Sequence, residues 1–170
     1  MSKLKYKVGN LIQAAVDGEV NVIAHCANCF NTMKSGIAPQ IVTMFPEAGE
    51  VDKETIKGDK RKLGMATAAY DEFHKVLVVN LYGQYNYGRE KGKMYVDYIA
   101  LIKTFSSMRD FMEGCFLEQA VSIGLPKLGS GLANGDWNLI ERIIKEELTD
   151  LDYDVTIYVL NEEEIPNVRL

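Results

Sequence analysis

The segment from Pro126 to Trp137, PKLGSGLANGDW, constrains this chain more than any other. It follows an apolar run of β character, QAVSIGL over residues 119–125, and precedes a run of helical period, NLIERIIKEEL over residues 138–148. Strand, glycine-rich turn and helix in that order build a cradle for an anion. Glycines let backbone amides approach a phosphate closely, and the start of the helix adds positive dipole. The cradle lacks the Lys-Ser/Thr ending of a P-loop and the G-x-G-x-x-G spacing of a dinucleotide fold. An acid, Asp136, stands at its far lip. It either caps the following helix or takes part in chemistry, and the two roles are compatible.

The same alternation runs through the rest of the chain. Strands are predicted over residues 5–8, 20–25, 65–70, 75–81, 120–125 and 155–160, most of them short and several apolar on both faces, as in a buried sheet. Helices are predicted over residues 11–17, 36–45 (ending at Pro46), 95–113 and 138–148. The third has apolar residues at Tyr95, Tyr98, Ile99, Ile102, Phe105, Met108 and Met112, with Gly114 as its stop. The charged stretch 49–62 reads as a surface loop or a short helix. This pattern implies an α/β layered sandwich with a mixed, mostly parallel sheet, in one domain spanning residues 1–170. Ligands of such sheets sit beyond the carboxyl ends of the strands. Four candidate loops lie there: Gly9-Asn10, residues 26–36, residues 82–92 and residues 127–136.

Bulk properties exclude some classes. The chain has 170 residues, 47% of them hydrophobic, enough for a full core. Its net charge of −5 argues against a general nucleic-acid surface, although amides and dipoles can still bind a nucleotide metabolite. The apolar runs are too short to span a bilayer, so no membrane partner is expected. The N-terminal residues show no signal-peptide core, and three cysteines without a secretory signal read as reduced thiols. A cytoplasmic location is therefore expected.

Three further groups bear on chemistry. In VIAHCANCFNTMKSGIA (residues 22–38), an apolar strand runs into polar residues and a glycine at a helix start. The Cys26-x-x-Cys29 pair lacks the further donors that a four-ligand zinc site needs, so small buried thiols are favoured and no metal is expected. His25, at the strand end, reads either as an acid/base near neutral pH or as a buried, hydrogen-bonded histidine. In VVNLYGQYNYG (residues 78–88), Tyr82 and Tyr85 follow a strand with Gln84 between them. Such aromatics either stack on a base or ribose, or pack within their own domain. Lys62, just before Leu63-Gly64 and a strand, reads either as pointing at a ligand or, the favoured reading, as one solvated member of the charge run 57–62.

Together these loops resemble the macrodomain family of ADP-ribose-binding proteins. The resemblance spans nearly the whole chain. It is carried by VGNLI (residues 8–12), IAHCAN (23–28) running to GIA (36–38), NLYGQY (80–85) and GSGLANGDW (129–137). The last two look most like the branch of ADP-ribose-1″-phosphate phosphatases and related phage proteins, which would place the chain in a host cytoplasm. The family implies a three-layer α/β/α fold with ADP-ribose across the strand ends. Gly9, Asn10 and Leu11 would lie at the adenine end; Asn10 stands where many relatives have an aspartate, and its amide can accept the adenine amino group's bond only without charge. Gly36, Ile37 and Ala38 would match the first pyrophosphate loop and Ser130, Gly131, Leu132 and Ala133 the second, with Asn28, Ser35 and Gly129 also in the ligand-binding set. Tyr82, Gln84 and Tyr85 would complete the ligand-binding set. His25 and Asp136 match the catalytic positions of the phosphatase-like branch. In the branch that frees ADP-ribose from glutamate, Lys62 would stand for the lysine, but the partner aspartate is Ala133 here.

The leading expectation is thus an enzyme without cofactor that binds ADP-ribose and hydrolyses ADP-ribose 1″-phosphate, with Asp136 activating water and His25 protonating the leaving oxygen; a phosphohistidine route is also open. The alternatives are a hydrolase of ADP-ribosylated protein or of O-acyl-ADP-ribose, and a module that binds ADP-ribose without turnover.

Overall fold

The computed structural model describes residues 3–115 and 120–166. Met1, Ser2 and Gln119, used in the reading above, lie outside the described residues. Six strands form one sheet: β1 (Leu4–Val8), β2 (Val22–Cys26), β3 (Ala66–Asp71), β4 (Val76–Leu81), β5 (Ser122–Leu125) and β6 (Asp154–Val159). Their order is β1-β6-β5-β2-β4-β3, parallel throughout except for β3, which pairs antiparallel with β4 at one edge. The carboxyl ends of the five parallel strands therefore share one rim.

Side-chain alternation sorts the strands' residues between two helical layers. Val22, Ala24, Leu77 and Val79 face the layer of α4 (Tyr98–Cys115) and α5 (Trp137–Glu147). Ile23, Val76 and Val78 face the layer of α1 (Leu11–Val16), α2 (Ala38–Met44) and α3 (Pro46–Lys53). The fold is the expected three-layer sandwich. By the same alternation, His25 on β2 and Asn80 on β4 turn toward α3, and the register makes them direct neighbours.

Three elements differ from expectation. Helix α4 starts at Tyr98 rather than Tyr95, because Asp97 caps it by accepting the Ala100 N–H at 3.0 Å, while Val96 bridges to Gln84 in extended form. It also runs past Gly114 to Cys115. Pro46 does not end the helical region but opens α3: Phe45 breaks the helix with φ −125° and ψ 75°, and proline at the first turn of the next helix sacrifices no hydrogen bond. Finally, Lys62 is not solvated. It is 7% exposed and donates to Cys29 O at 3.1 Å and Asn31 Oδ1 at 2.5 Å, which ties the segment after α3 beneath the loop that follows β2.

Candidate functional site

A cleft of about 560 Å³ opens on the rim above β2, β4 and β5, within the usual size of small-molecule sites. Three separate segments wall it: residues 25–38, 84–89 and 126–133. Of the residues expected at a site, the cleft brings together His25, Asn28, Ser35, Gly36, Ile37, Ala38, Gln84, Gly129, Gly131, Leu132 and Ala133.

Two of these walls expose backbone donors. The N–H groups of residues 129–133, five in succession, have no hydrogen-bond partner among the described residues; nor do those of Gly36 and Ile37. Unpaired amides are tolerated only where water or a ligand can meet them. The loop's own shape is held from below. Gly129 has φ +74°, a left-handed conformation suited to glycine, and Gly135 N donates to Gly129 O at 2.8 Å. Lys34, Arg89 and Lys127 are the charged residues that line the cleft, although the Lys127 ammonium donates to Glu164 O at 3.1 Å and lies 5.4 Å from the Trp137 ring centroid, and no carboxylate is among the lining residues. In a chain of net charge −5, this is a local reversal of sign suited to an anion. Spacing alone does not single out these three cations; they became visible only when the loops were folded together.

His25 lines the cleft yet is 3% exposed, and its Nε2 lies 2.7 Å from Asn80 Oδ1. Burial lowers its pKa, against the opposing bond to Asn80 and the charge of Asp52, so the ring is neutral at neutral pH. Asn80, fully buried, donates from Nδ2 to Ala48 O at 2.9 Å and to Thr67 Oγ1 at 3.1 Å. Thr67 Oγ1 lies 3.0 Å from the Tyr82 hydroxyl, which donates to Asp52 Oδ1 at 2.7 Å. Nothing in the spacing of Asp52 or Thr67 linked them to the site.

The other expected residues lie elsewhere. Asp136 is exposed and is not among the cleft-lining residues: its Oδ1 accepts the Asn138 N–H at 3.0 Å and caps α5, while its own N–H donates to the Tyr98 hydroxyl at 2.8 Å. No hydrogen bond joins it to His25. Asn10 caps α1 by accepting the Gln13 N–H at 3.0 Å, and Gly9, Asn10 and Leu11 stand on the rim toward β1, outside the cleft. The Tyr82 ring is buried, and Tyr85 packs edge-on against Phe30 while its hydroxyl bonds Gly58 O, so neither lines the cleft; Tyr87 does. The Ser130 hydroxyl turns back to Lys127 O, and its side chain is not on the cleft surface. Burial pushes the Cys26 and Cys29 thiols up to about 12 and about 11, which keeps both protonated and poor as nucleophiles or metal ligands. Among the described residues, no three His, Cys, Asp or Glu side chains are grouped to hold a metal ion. None of the described helices is long and apolar enough to cross a membrane.

No protein-family model matches the chain. An uncharacterized 17.5 kDa protein of Enterobacteria phage T4 is 32% identical over 160 residues, 89% of this chain and 97% of that protein. Among solved structures, a protein of unknown function from Bacteroides thetaiotaomicron is 28% identical with a TM-score of 0.74, over 91% of this chain and 96% of that one. The macrodomain of Mycobacterium tuberculosis DarG gives 20% and 0.71, over 91% and 96%. Thermosipho africanus DarTG, solved in complex with ADP-ribose, gives 18% and 0.73, over 96% of this chain and 43% of that one. A sandwich of this topology, with its cleft on the carboxyl rim of the sheet, is the macrodomain fold. The chain shares that fold with the macrodomains of Mycobacterium tuberculosis DarG and Streptomyces coelicolor, and by sequence it belongs to one family with the uncharacterized phage T4 protein.

Proposed function

We propose that the protein binds ADP-ribose in this cleft and hydrolyses the phosphate ester of ADP-ribose 1″-phosphate. The observation that carries the reading is the run of five amides at residues 129–133 without a partner among the described residues, in a loop that lines a cleft with basic residues and no carboxylate. Such a wall suits a diphosphate and does not repel a further phosphate on the distal ribose. The complex of Thermosipho DarTG with ADP-ribose supports the ligand class.

In this reading His25 is the reacting group. It takes a proton from water as the water oxygen attacks phosphorus. The bond from phosphorus to the anomeric oxygen breaks, and the same proton passes to that oxygen, so that ADP-ribose and inorganic phosphate leave. The lysine route to glutamate-linked ADP-ribose is disfavoured, because the Lys62 amine is already bound to Cys29 O and Asn31 Oδ1. Binding without turnover has one observation in its favour, the position of Asp136 outside the cleft. Calorimetry with ADP-ribose, paired with phosphate release from the 1″-phosphate, separates the readings. Binding with release supports the phosphatase, binding without release the reader module, and no binding at millimolar ligand removes both.

A further inference from the structure

We propose that Asn80 is a positioning residue that holds His25 in the Nε2–H tautomer, with the bare Nδ1 turned to the cleft, so that His25 meets a ligand as a proton acceptor. The argument begins with the asparagine amide. Its Nδ2 lies 2.9 Å from Ala48 O, and a backbone carbonyl can only accept. That contact fixes which end of the amide is nitrogen, and the oxygen must then be the atom 2.7 Å from His25 Nε2. An amide oxygen also only accepts, so Nε2 must carry the proton.

A second set of bonds fixes the same orientation from the other side. The Tyr82 hydroxyl spends its proton on the Asp52 carboxylate, so Thr67 must donate to Tyr82. Thr67 Oγ1 is thereby left as the acceptor for the second Asn80 N–H. The buried carboxylate therefore sets the direction of the whole row. Turning the Asn80 amide over would place its oxygen against Ala48 O and against Thr67 Oγ1, whose proton is spent on Tyr82, and would break both of those bonds. The register makes this row rigid: His25, Asn80 and Thr67 are directly opposed on β2, β4 and β3.

The remaining ring nitrogen follows by elimination. Nδ1 has no partner among the described residues, and no fully buried side-chain nitrogen or oxygen among them lacks one. Nδ1 is therefore open to the surface that His25 presents, which is the cleft. A neutral ring of this tautomer offers a lone pair there and no proton. It can receive a hydrogen bond from a ribose hydroxyl or a proton from water, but it cannot begin as an acid toward a leaving oxygen.

The tautomer itself is independent of what the cleft binds; the acceptor role toward a ligand rests on the ADP-ribose reading. Long-range ¹H–¹⁵N correlation spectra distinguish bare from protonated ring nitrogens. The chain has two histidines, so a His74→Gln variant assigns the signals. In the free wild-type protein at neutral pH, His25 is expected to show a protonated Nε2 and a bare Nδ1; the opposite tautomer, or an even mixture, overturns the proposal. In Asn80→Leu the tautomers should become mixed, and a pure Nε2–H ring in the folded variant overturns the role of Asn80. If that variant does not fold, the wild-type spectrum still decides the tautomer. Saturating ADP-ribose should shift the Nδ1 resonance. Binding seen by calorimetry without such a shift overturns the acceptor role, whereas absence of binding removes the proposed function and leaves the tautomer to the free spectrum.

Discussion

Gly131 and Gly135 lie four residues apart in one loop, and the structure assigns them opposite sensitivities. A Cβ built on Gly131 meets nothing within 4 Å, and its φ lies outside the left-handed region. A Cβ on Gly135 would fall 2.5 Å from Gly129 O and 2.6 Å from Val96 Cγ1. Gly131→Val should therefore change stability by less than about 0.5 kcal/mol, as for an open surface site. Its branched side chain should instead fill the space in front of the unpaired amides. Losing two charge-assisted bonds to a diphosphate, at about 1.5–3 kcal/mol each, weakens binding by about a hundredfold or more. Gly135→Ala forces a backbone shift costing about 1–3 kcal/mol, which for a domain of this size lowers the melting temperature by roughly 2–12 °C. Differential scanning fluorimetry and calorimetry with ADP-ribose on both variants test the pair. A folded Gly131→Val protein that binds ADP-ribose as tightly as wild type would refute the assignment of this loop as the anion cradle. An unaltered melting temperature in Gly135→Ala would show that the loop yields where it is described as tightly packed.

The other predictions concern single side chains. Asp136→Ala should cost about 1 kcal/mol as a lost helix cap while Asp136→Asn costs little; neither should change phosphate release, and a large loss in Asp136→Asn with a normal melting curve would return the aspartate to the chemistry. His25 has a lowered folded-state pKa from burial, so the unfolded chain binds its proton more readily. Its contribution is complete above the unfolded value of about 6.5 and is lost as pH falls toward the folded value, with a slope of at most about 1.4 kcal/mol per pH unit. Denaturant titrations of wild type and His25→Gln should therefore converge as pH falls from 7.5 to 5, and a gap independent of pH counts against a buried neutral ring. Lys62→Met should remove one of two donors from Cys29 O, which keeps the Gly58 N–H, and from Asn31 Oδ1, which keeps the Thr55 hydroxyl, and cost about 0.5–1.5 kcal/mol, read as a drop in the urea midpoint with ADP-ribose affinity retained once folded.

Much of the architecture was legible because burial writes a strong period into sequence. All six strands were expected near their observed places, since β2 and β4 are apolar on both faces and β5 runs straight into glycines. Helix α3 was harder to see. Its eight residues, PEAGEVDK, bury only Ala48, Gly49 and Asp52, and one of these is an acid whose partner is a tyrosine thirty positions away. The start of α4 was misjudged because Tyr95 and Val96 continue its apolar period yet belong to an extended segment that Asp97 cuts off. Within the site, the glycine loops were readable from composition. Asp136 was not, because a helix cap and a catalytic acid leave the same letter at the same place. The meeting of Arg89 and Lys127 at one cleft, from two different walls, depends on β4 and β5 flanking β2, and no local pattern encodes that.

The cleft's three walls come from segments that begin at residue 25 and end at residue 133, brought together by β2 pairing with β4 on one side and β5 on the other, with the Cys29 N–H donating to Tyr85 O between two of them. No single segment of the chain contains the whole of this site. Its closure must wait for two long-range parallel pairings, the slowest kind of contact to form because loop entropy is spent before any bond is made. A ligand held there has nothing to grip in a half-assembled sheet. Its binding energy is therefore added to the cost of every opening that disrupts the cleft, from that of one of its loops to complete unfolding. Occupancy of the cleft would lengthen the lifetime of the whole molecule, leaving the fraying of the distant edges at β1 and β3 as it was.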